Sequence, residues 1–369
     1  MILARTKICA TWLALGLAGG SAWSQGNDFL DGAKKRVATA TMTKEKWDGP
    51  TAGPKAAASK TIVFVAGDMK NGGIVGVSKG VEEAGKAIGW TVRVIDGQGS
   101  VSGRTAALNQ ALALKPAGIV VGGFDTIEQK AAFEGATKTG VPLVGWHSGE
   151  KPGPNAAAGL FANVTTVTDD VADIAASWAV VDSGGKAGVV IFTDSQYAIA
   201  LYKARAMEAV IKKCGGCTVL SFEDSPISES STRMPQLTTS LLQRFGDKWT
   251  HSLAINDLYF DFMGPSLTAA GKKGDGNPKA VSAGDGSEAA YQRIRSKRFQ
   301  AGTVPEPLNM QGWQVIDEMN RALNKAAWSG YSPKVHLVTA ENVAKDGGPT
   351  NVFDPDNGYR NHYKKIWGK

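Results

Sequence analysis

The pair Cys214 and Cys217, spaced Cys-Gly-Gly-Cys, is the motif whose residue types and spacing most directly suggest chemistry. Such a pair can form a structural disulfide, a redox centre or half of a zinc site. A redox centre places its first cysteine at a helix N-terminus, where the dipole lowers the thiol pKa, but this pair follows a predicted helix ending near Lys213. A zinc site needs two further ligands, and the four histidines are scattered. A disulfide is therefore the favoured interpretation, with the other two left open.

Polar side chains follow nearly every predicted strand, together with a few aromatic ones. Carboxylates and amides hydrogen-bond hydroxyl groups, and a flat ring covers the apolar face of a sugar. The pattern predicts a site for a small polyhydroxylated ligand, with these candidate residues: Asp68, Asn71, Trp146, His147, Gln196, Asn256 and Asp285. The alternative is that Asp and Asn at strand ends only cap the helices that follow.

The elements that must position these residues recur with a regular rhythm. Short β-branched runs alternate with amphipathic helical patterns, first at Ile62–Ala66, Thr91–Ile95, Gly118–Val121 and Pro142–Trp146. The rhythm restarts at Gly188–Phe192, Thr218–Phe222, Leu253–Asn256 and Ala280–Ala283. Such alternation indicates βαβ units and parallel sheets. The predicted fold class is therefore α/β, with two doubly wound parallel-sheet lobes joined by a hinge and a ligand cleft between them, at the carboxyl ends of the strands.

The last hundred residues continue the pattern less regularly. We expect a strand at Gln300–Val304, a helix at Trp313–Asn324 and a strand at Val335–Val338. The tail from Asp346 is rich in Gly, Asp, Asn and Pro, which is typical of irregular surface chain.

The N-terminal residues have the layout of an export signal. Arg5 and Lys7 precede an apolar stretch, and Ala22-Trp23-Ser24 offers small residues at the two positions a signal peptidase requires. We expect residues 1–24 to be a cleaved signal peptide, the alternative being a membrane anchor, for which the apolar stretch is short. Residues 25–59 are predicted to form an arm over the folded body, with a short helix near Phe29–Ala40 and Trp47 as its anchor.

Several classes of function are disfavoured. The net charge is +7, but there is no basic stripe with interleaved aromatics, so we expect no nucleic-acid partner. No Gly-x-Ser-x-Gly elbow is present, and the nearest match to a phosphate loop has Ala87 where Ser or Thr is required. We expect no enzymatic activity, no cofactor and no metal site.

Motifs spread over Lys60 to Glu341 resemble those of a known family. They are Thr61-Ile-Val-Phe-Val-Ala, Lys70-Asn71-Gly72-Gly73, Gly80-Val81-Glu82-Glu83-Ala84, Gly140-Val-Pro-Leu-Val, Ala254-Ile255-Asn256-Asp257 and Ala283-Gly284-Asp285-Gly286. In this order the chain resembles the type I periplasmic sugar-binding proteins, the ribose- and galactose-binding group of ABC transporters. Two departures stand out: Gly72 and Gly73 occupy a loop that often carries aromatics, and His147-Ser148 replaces a common Asp-Arg.

The resemblance implies a ligand set, a domain organisation and a role. Ligand contacts are implied for Asn71, His147 and its neighbours, Asn256, Asp285, and Glu306 at the last crossover. The implied N-terminal lobe is 60–162 with 307–334, and the implied C-terminal lobe is 163–306 with 335–369. The implied protein is a periplasmic monomer that binds a small polar ligand, most simply a monosaccharide, by hinge closure and delivers it to an ABC permease complex. A sensory protein for a chemoreceptor or kinase, a binder of a purine, polyol or small acid, and a secreted α/β enzyme remain alternatives.

Overall fold

The computed structural model describes residues 20–42 and 46–369. Most of the predicted signal segment, residues 1–19, lies outside the described residues. Among the helices that are described, none combines the length and apolar character needed to cross a membrane.

The first lobe is built on a six-stranded sheet in the order β2-β1-β3-β4-β6-β5. Only β5 is antiparallel to its neighbour; the other pairs are parallel. The strands are β1 (Thr61–Ala66), β2 (Thr91–Asp96), β3 (Gly118–Gly122), β4 (Leu143–Trp146), β5 (Gly153–Asn155) and β6 (Leu160–Val164).

The second lobe repeats this plan with a sheet in the order β12-β11-β10-β9-β7-β8. Only β12 is antiparallel to its neighbour. The strands are β7 (Gly188–Thr193), β8 (Thr218–Asp224), β9 (His251–Ala254), β10 (Lys279–Ser282), β11 (Gln300–Thr303) and β12 (Val338–Thr339). The predicted fold class, two α/β lobes with parallel-dominated sheets, is confirmed.

Helices cover both faces of both sheets. In chain order they are α1 (Gly20–Ala40), α2 (Gly72–Ile88), α3 (Val101–Ala113), α4 (Lys130–Thr137), α5 (Thr168–Asp182), α6 (Ala198–Lys213), α7 (Ser230–Phe245), α8 (Leu258–Asp261), α9 (Gly264–Ala269), α10 (Glu288–Arg295), α11 (Leu308–Leu323), α12 (Val343–Asp346) and α13 (Tyr359–Trp367).

The central strand β1 shows why the strands of this chain are continuous runs of apolar residues. Successive side chains of a strand point to opposite faces of the sheet. Ile62 and Phe64 enter the core shared with α2 and α11, whereas Val63 and Val65 enter the core shared with α3 and α4. Because both faces are covered, the strand has no polar side to expose, which is typical of a parallel sheet.

The C-terminal tail differs from the irregular surface chain that we predicted. Residues 359–367 form α13, whose side chains Tyr359, Tyr363 and Trp367 are buried. These three side chains recur at intervals of four residues and pack on Trp313 of α11 in the first lobe. We predicted 335–369 as part of the C-terminal lobe; β12 joins the second sheet, but this aromatic stripe carries α13 onto the first lobe.

The arm also extends over both lobes. Helix α1 is longer than the short helix that we predicted, and it packs against α5 of the second lobe, with an Arg36–Asp173 ion pair of 2.7 Å. Trp47 packs against Tyr331 and Tyr363 on the first lobe.

Three passages of the chain between the lobes follow β6, β11 and α11, and two further ones follow α1 and α12. The first two passages touch where the Thr166 hydroxyl donates to Glu306 Oε1 at 2.6 Å, and the first and third touch where the Ser332 hydroxyl donates to the Thr165 carbonyl at 2.9 Å. These parallel segments form the hinge beside which the cleft lies.

Candidate functional site

A cleft between the lobes brings together most of the residues predicted from the strand ends. Its volume is about 630 Å³, counted with its open mouth. Both lobes contribute to its walls, through Asp68, Asn71, Ile74, Gly123, Trp146, His147, Tyr197, Ile199, Ala200, Lys203, Ile227, Ser228, Ile255, Asn256 and Asp285. The sheets direct their carboxyl ends at this space, as expected for open parallel sheets.

His147 lies at the centre of the cleft's charged groups. Its ring stacks on Trp146, with centroids 3.9 Å apart and planes inclined by 7°. Its Nε2 lies 3.2 Å from Glu306 Oε1, and its Nδ1 lies 3.7 Å from Asp285 Oδ1. The backbone of His147 is left-handed, with φ of 50°, a conformation that aims the ring back across the end of β4. One imidazole therefore connects a side chain of the second lobe with one at the hinge.

Glu306 is buried behind His147 and is held as a carboxylate. Burial raises its pKa, but the attraction of the nearby His147 and Lys203 and the hydrogen bond from Thr166 outweigh burial and lower the pKa to about 2. The Gln311 amide also donates to this carboxylate, and the Gln311 oxygen accepts from the Trp146 indole at 2.7 Å. This chain of hydrogen bonds fixes the Trp146 ring that lines the cleft.

Asp285 and Asn256 form the polar floor contributed by the second lobe. The Asn256 amide donates to Asp285 Oδ2 at 2.6 Å, while Asn256 Oδ1 accepts from the Leu258 backbone N–H at 2.9 Å. Burial raises the pKa of Asp285, against the opposing attraction of His147 and Lys203. Its carboxyl oxygens are of the type that hydrogen-bonds ligand hydroxyls.

The loop that carries Asp285 is fixed by its neighbour Asp257. Asp257 Oδ2 accepts from the Gly286 N–H at 2.8 Å, and Asp257 Oδ1 accepts from the Gln300 amide at 2.6 Å. Asp257 is fully buried, does not line the cleft, and orients the loop from below.

Lys203 is a cleft residue that the sequence reasoning missed. It lies on α6, only 5% exposed, and its Nζ donates to the Ala283 carbonyl at 2.6 Å. A lysine inside an amphipathic helix normally reads as solvated surface. It carried no strand-end signal, because it lies in the second turn of the helix that follows β7.

Asp68 and Asn71 form the part of the cleft contributed by the first lobe. Asn71 Oδ1 accepts from the Gly73 N–H at 2.9 Å and so caps α2, and Asp68 Oδ1 accepts from the Lys70 N–H at 2.9 Å. Both residues also line the cleft. Helix capping and a place in the cleft, which we treated as alternatives, thus coexist in Asn71.

Close contact between the lobes explains the glycines in the first loop. A Cβ on Gly73 would lie 2.5 Å from Asp285 Oδ2, and one on Gly72 would lie 2.8 Å from Ser287 Cβ. An aromatic side chain at either position would therefore collide with the second lobe in this arrangement.

Of two aromatic residues near the strand ends, one lies in the cleft and the other in the core. Tyr197 lines the cleft, whereas the adjacent Gln196, which we predicted as a site residue, is exposed and does not. Phe124 is fully buried and packs edge-on against Phe133 in the first lobe.

Cys214 and Cys217 are joined by a disulfide at the C-terminus of α6, with Cα atoms 5.3 Å apart. The bond lies at the end of the helix remote from the cleft. Within the described residues, no group of three or more histidine, cysteine or acidic side chains is arranged to hold a metal ion.

Solved structures with the same fold belong to solute-binding proteins. A solute-binding protein of an ABC transporter from Agrobacterium vitis, bound with α-D-tagatopyranose, is 14% identical and superposes with a TM-score of 0.70 over 80% of this chain and 99% of that one. A periplasmic solute-binding protein from Actinobacillus succinogenes with bound D-allose is 18% identical, with a TM-score of 0.67 over 77% and 99% of the two chains. A glucose-galactose binding protein from Geobacillus stearothermophilus is 17% identical, with a TM-score of 0.68 over 77% and 98%.

Among curated protein sequences, none matches this chain. The family model described as a periplasmic binding protein domain matches residues 62–327, which is more than half of the sequence and includes every residue of the cleft. The chain therefore belongs to the periplasmic binding protein domain family.

Proposed function

We propose that the protein is an extracytoplasmic solute-binding protein of an ABC importer and that its cargo is a monosaccharide. The observation that carries the proposal is the cleft itself, in which Asn71 of one lobe faces Asn256 and Asp285 of the other. Amide and carboxyl groups arranged on two opposed walls match the hydroxyl groups of a sugar ring, and the Trp146–His147 stack supplies an aromatic wall.

The similar solved structures support a sugar as the cargo. One of them was solved with α-D-tagatopyranose, one with D-allose, and one is a glucose-galactose binding protein. They share the fold of this chain, and the cleft has the polar groups that such ligands require.

The mechanism that fits the structure is hinge closure without chemistry on the ligand. A ligand that contacts both walls binds the closed arrangement better than an open one and so raises its population. The permease complex at the membrane then recognises the closed form. The protein acts in the periplasm as a monomer, exported by the signal segment 1–24.

A non-sugar solute, such as a purine, a polyol or a small acid, is the second candidate. It is favoured by one observation: the first loop has Gly72 and Gly73 in place of a stacking aromatic. The same cleft would then bind a different polar ligand by the same closure.

A thermal-shift screen against sugars, polyols, purines and small organic acids tests both proposals. A ligand that binds only the folded state at a hundred times its Kd adds about 2.7 kcal/mol to the free energy of unfolding. We expect a clear rise in Tm with one monosaccharide. A rise with purines or acids alone would remove the sugar, and no rise with any compound would contradict the binding role.

A further inference from the structure

The lobes are also joined by contacts in which neither Asn256 nor Asp285 takes part. Arg104, on α3 of the first lobe, is fully buried and forms an ion pair with Glu128 at 2.6 Å. The other arm of its guanidinium donates to the hydroxyl of Tyr197 in the second lobe at 2.8 Å. The guanidinium carbon also lies 5.2 Å from the centroid of the Tyr197 ring, within cation–π range.

A second contact beside it caps a helix of one lobe with a residue of the other. Helix α6 begins after Tyr197, whose side chain makes no capping bond. The cap comes from Asp125 of the first lobe, whose Oδ2 accepts from the Ala198 N–H at 2.6 Å. Its Oδ1 accepts from the Ile127 and Glu128 N–H groups, so the carboxylate is fixed by its own loop. A carboxylate at a helix N-terminus is favoured both by the unpaired N–H groups and by the helix dipole.

The segment held by these contacts supplies much of the cleft wall. Tyr197, Ile199, Ala200 and Lys203 all line the cleft, and all lie in the first two turns of α6 or directly before it. None of the first-lobe residues that hold this segment, Arg104, Asp125 and Glu128, lines the cleft. Both contacts cross from one lobe to the other, so they exist only when the lobes are together.

We propose that Arg104, Asp125 and Glu128 form an interlobe latch: positioning residues that fix the start of α6 and set ligand affinity through the closed form, without touching the ligand. The inference rests on the proposed function for its effect on affinity. Hydrogen bonds to charged groups are worth more than neutral ones, so loss of one latch contact should weaken binding roughly tenfold. The loss should act on ligand dissociation, because the latch forms only after the lobes meet.

The test uses the isosteric substitutions Tyr197→Phe and Asp125→Asn in protein expressed from its full-length sequence. The first keeps the ring in the cleft wall and removes only the hydroxyl; the second keeps the side-chain shape and removes the charged acceptor. The matched control is Tyr202→Phe, on the same helix, whose hydroxyl donates to Asp169 within the second lobe at 2.9 Å. Small-angle X-ray scattering of the ligand-free proteins reports lobe opening, and calorimetry and stopped-flow with D-allose, D-tagatose, D-galactose and D-glucose report Kd and dissociation rate.

We expect both latch variants to have a larger ligand-free radius of gyration than the parent, and a roughly tenfold higher Kd that arises from faster dissociation. The control should match the parent in both measurements. A double-mutant cycle that combines Tyr197→Phe with Arg104→Lys distinguishes an effect through the latch from a direct contact between Tyr197 and the ligand. If the hydroxyl acts through Arg104, the two substitutions together should cost little more than either alone.

Latch variants that scatter and bind like the parent would overturn the proposal, as would additive effects in the cycle. If none of the four sugars binds the parent, the sugar proposal fails and the scattering still decides the latch. A single cooperative melting transition without ligand would show that the variants fold.

Discussion

At the scale of single residues, Asp285 is the side chain on which the cleft most depends. It is buried, it accepts from Asn256, it lies 3.7 Å from His147 across the lobe boundary, and its loop is fixed by Asp257. A ligand hydroxyl that loses this partner inside a closed cleft also has no water to replace it.

We predict that Asp285→Ala raises the Kd for the ligand at least a hundredfold, because it leaves both the Asn256 amide and ligand hydroxyls unpaired. Isothermal titration measures the loss. The control is Asp224→Ala, another strand-end acid of the second lobe, which bonds Ser195 and does not line the cleft. Equal affinity in Asp285→Ala and parent would show that the ligand binds elsewhere.

The residues of the cleft could be predicted from the sequence only in part. Asp68, Asn71, Trp146, His147, Asn256 and Asp285 meet in one cleft because strand ends of a parallel sheet share an edge. Gln196 and Tyr197 are neighbours, and position alone did not show which of them turns inward. Lys203 was missed because a helix position gives no strand-end signal, and its burial depends on how the Ala283 carbonyl meets α6.

At the scale of elements, α11 carries two buried acids at adjacent positions, Asp317 and Glu318. Asp317 bonds Arg321 and the Trp367 indole, whereas Glu318 bonds the backbone N–H and hydroxyl of Ser329. Burial raises the pKa of Glu318 to about 7, with further repulsion from Asp317, against the lowering effect of the Ser329 bonds.

We predict that Glu318→Gln stabilises the protein at pH 8. The unfolded chain releases this proton near pH 4.5, and the folded protein holds it until about 7, so the free energy of unfolding falls as pH rises between these values. The whole effect is on the order of 3 kcal/mol, from about 1.4 kcal/mol for each unit of pKa shift. Glutamine keeps an oxygen for Ser329 and has no proton to release.

Chemical denaturation at pH 4 and pH 8 measures this effect. The free energy of unfolding of the variant should exceed that of the parent at pH 8, and the difference between them should shrink toward pH 4. Glu134→Gln, on the exposed part of α4, is the control and should show no such difference. A difference in the free energy of unfolding between Glu318→Gln and the parent that is the same at both pH values would contradict the raised pKa of Glu318.

The C-terminal helix α13 should be an integral part of the first lobe. Trp367 is buried, stacks on Trp313 at 5.4 Å, and its indole donates to Asp317 at 2.8 Å. We predict that Trp367→Ala lowers the free energy of unfolding by about 3–5 kcal/mol, with Trp367→Phe losing less because it keeps a ring in the stack. A melting temperature within 1–2 °C of the parent (about 0.5 kcal/mol or less at this chain length) would show that α13 is dispensable.

The sequence contained the signal for α13, but the surrounding composition masked it. Tyr359, Tyr363 and Trp367 recur every four residues, which indicates one apolar helix face. The Gly-, Asp- and Pro-rich residues before them favoured an irregular tail. The end of α2 shows the opposite case, because a glycine marks it: the helix stops at Gly89, which adopts the left-handed conformation with φ of 85°.

At the scale of the whole molecule, two similar lobes meet at a cleft and share a hinge of three crossing segments. The repeated rhythm of strands and helices predicted this plan, because parallel sheets require helical crossovers on both faces. The contacts between lobes could not be predicted, since a pair such as Asp125 and Ala198 depends on how two separately folded sheets come together.

The arrangement of the lobes also explains why the affinity for the ligand should depend on both lobes. Asn71 and His147 come from the first lobe, Asn256 and Asp285 from the second, and the latch residues join the two lobes. A ligand that bridged these walls would stabilise the closed form by its differential affinity alone.

A sugar site in this cleft is tested by isothermal titration of the protein with D-allose, D-tagatose, D-galactose and D-glucose, run beside Asp285→Ala. We expect one of these neutral sugars to bind the parent at a single site per chain and the variant to lose this binding. Binding that persists in Asp285→Ala, or heat only from purines or organic acids, would contradict a sugar site in this cleft.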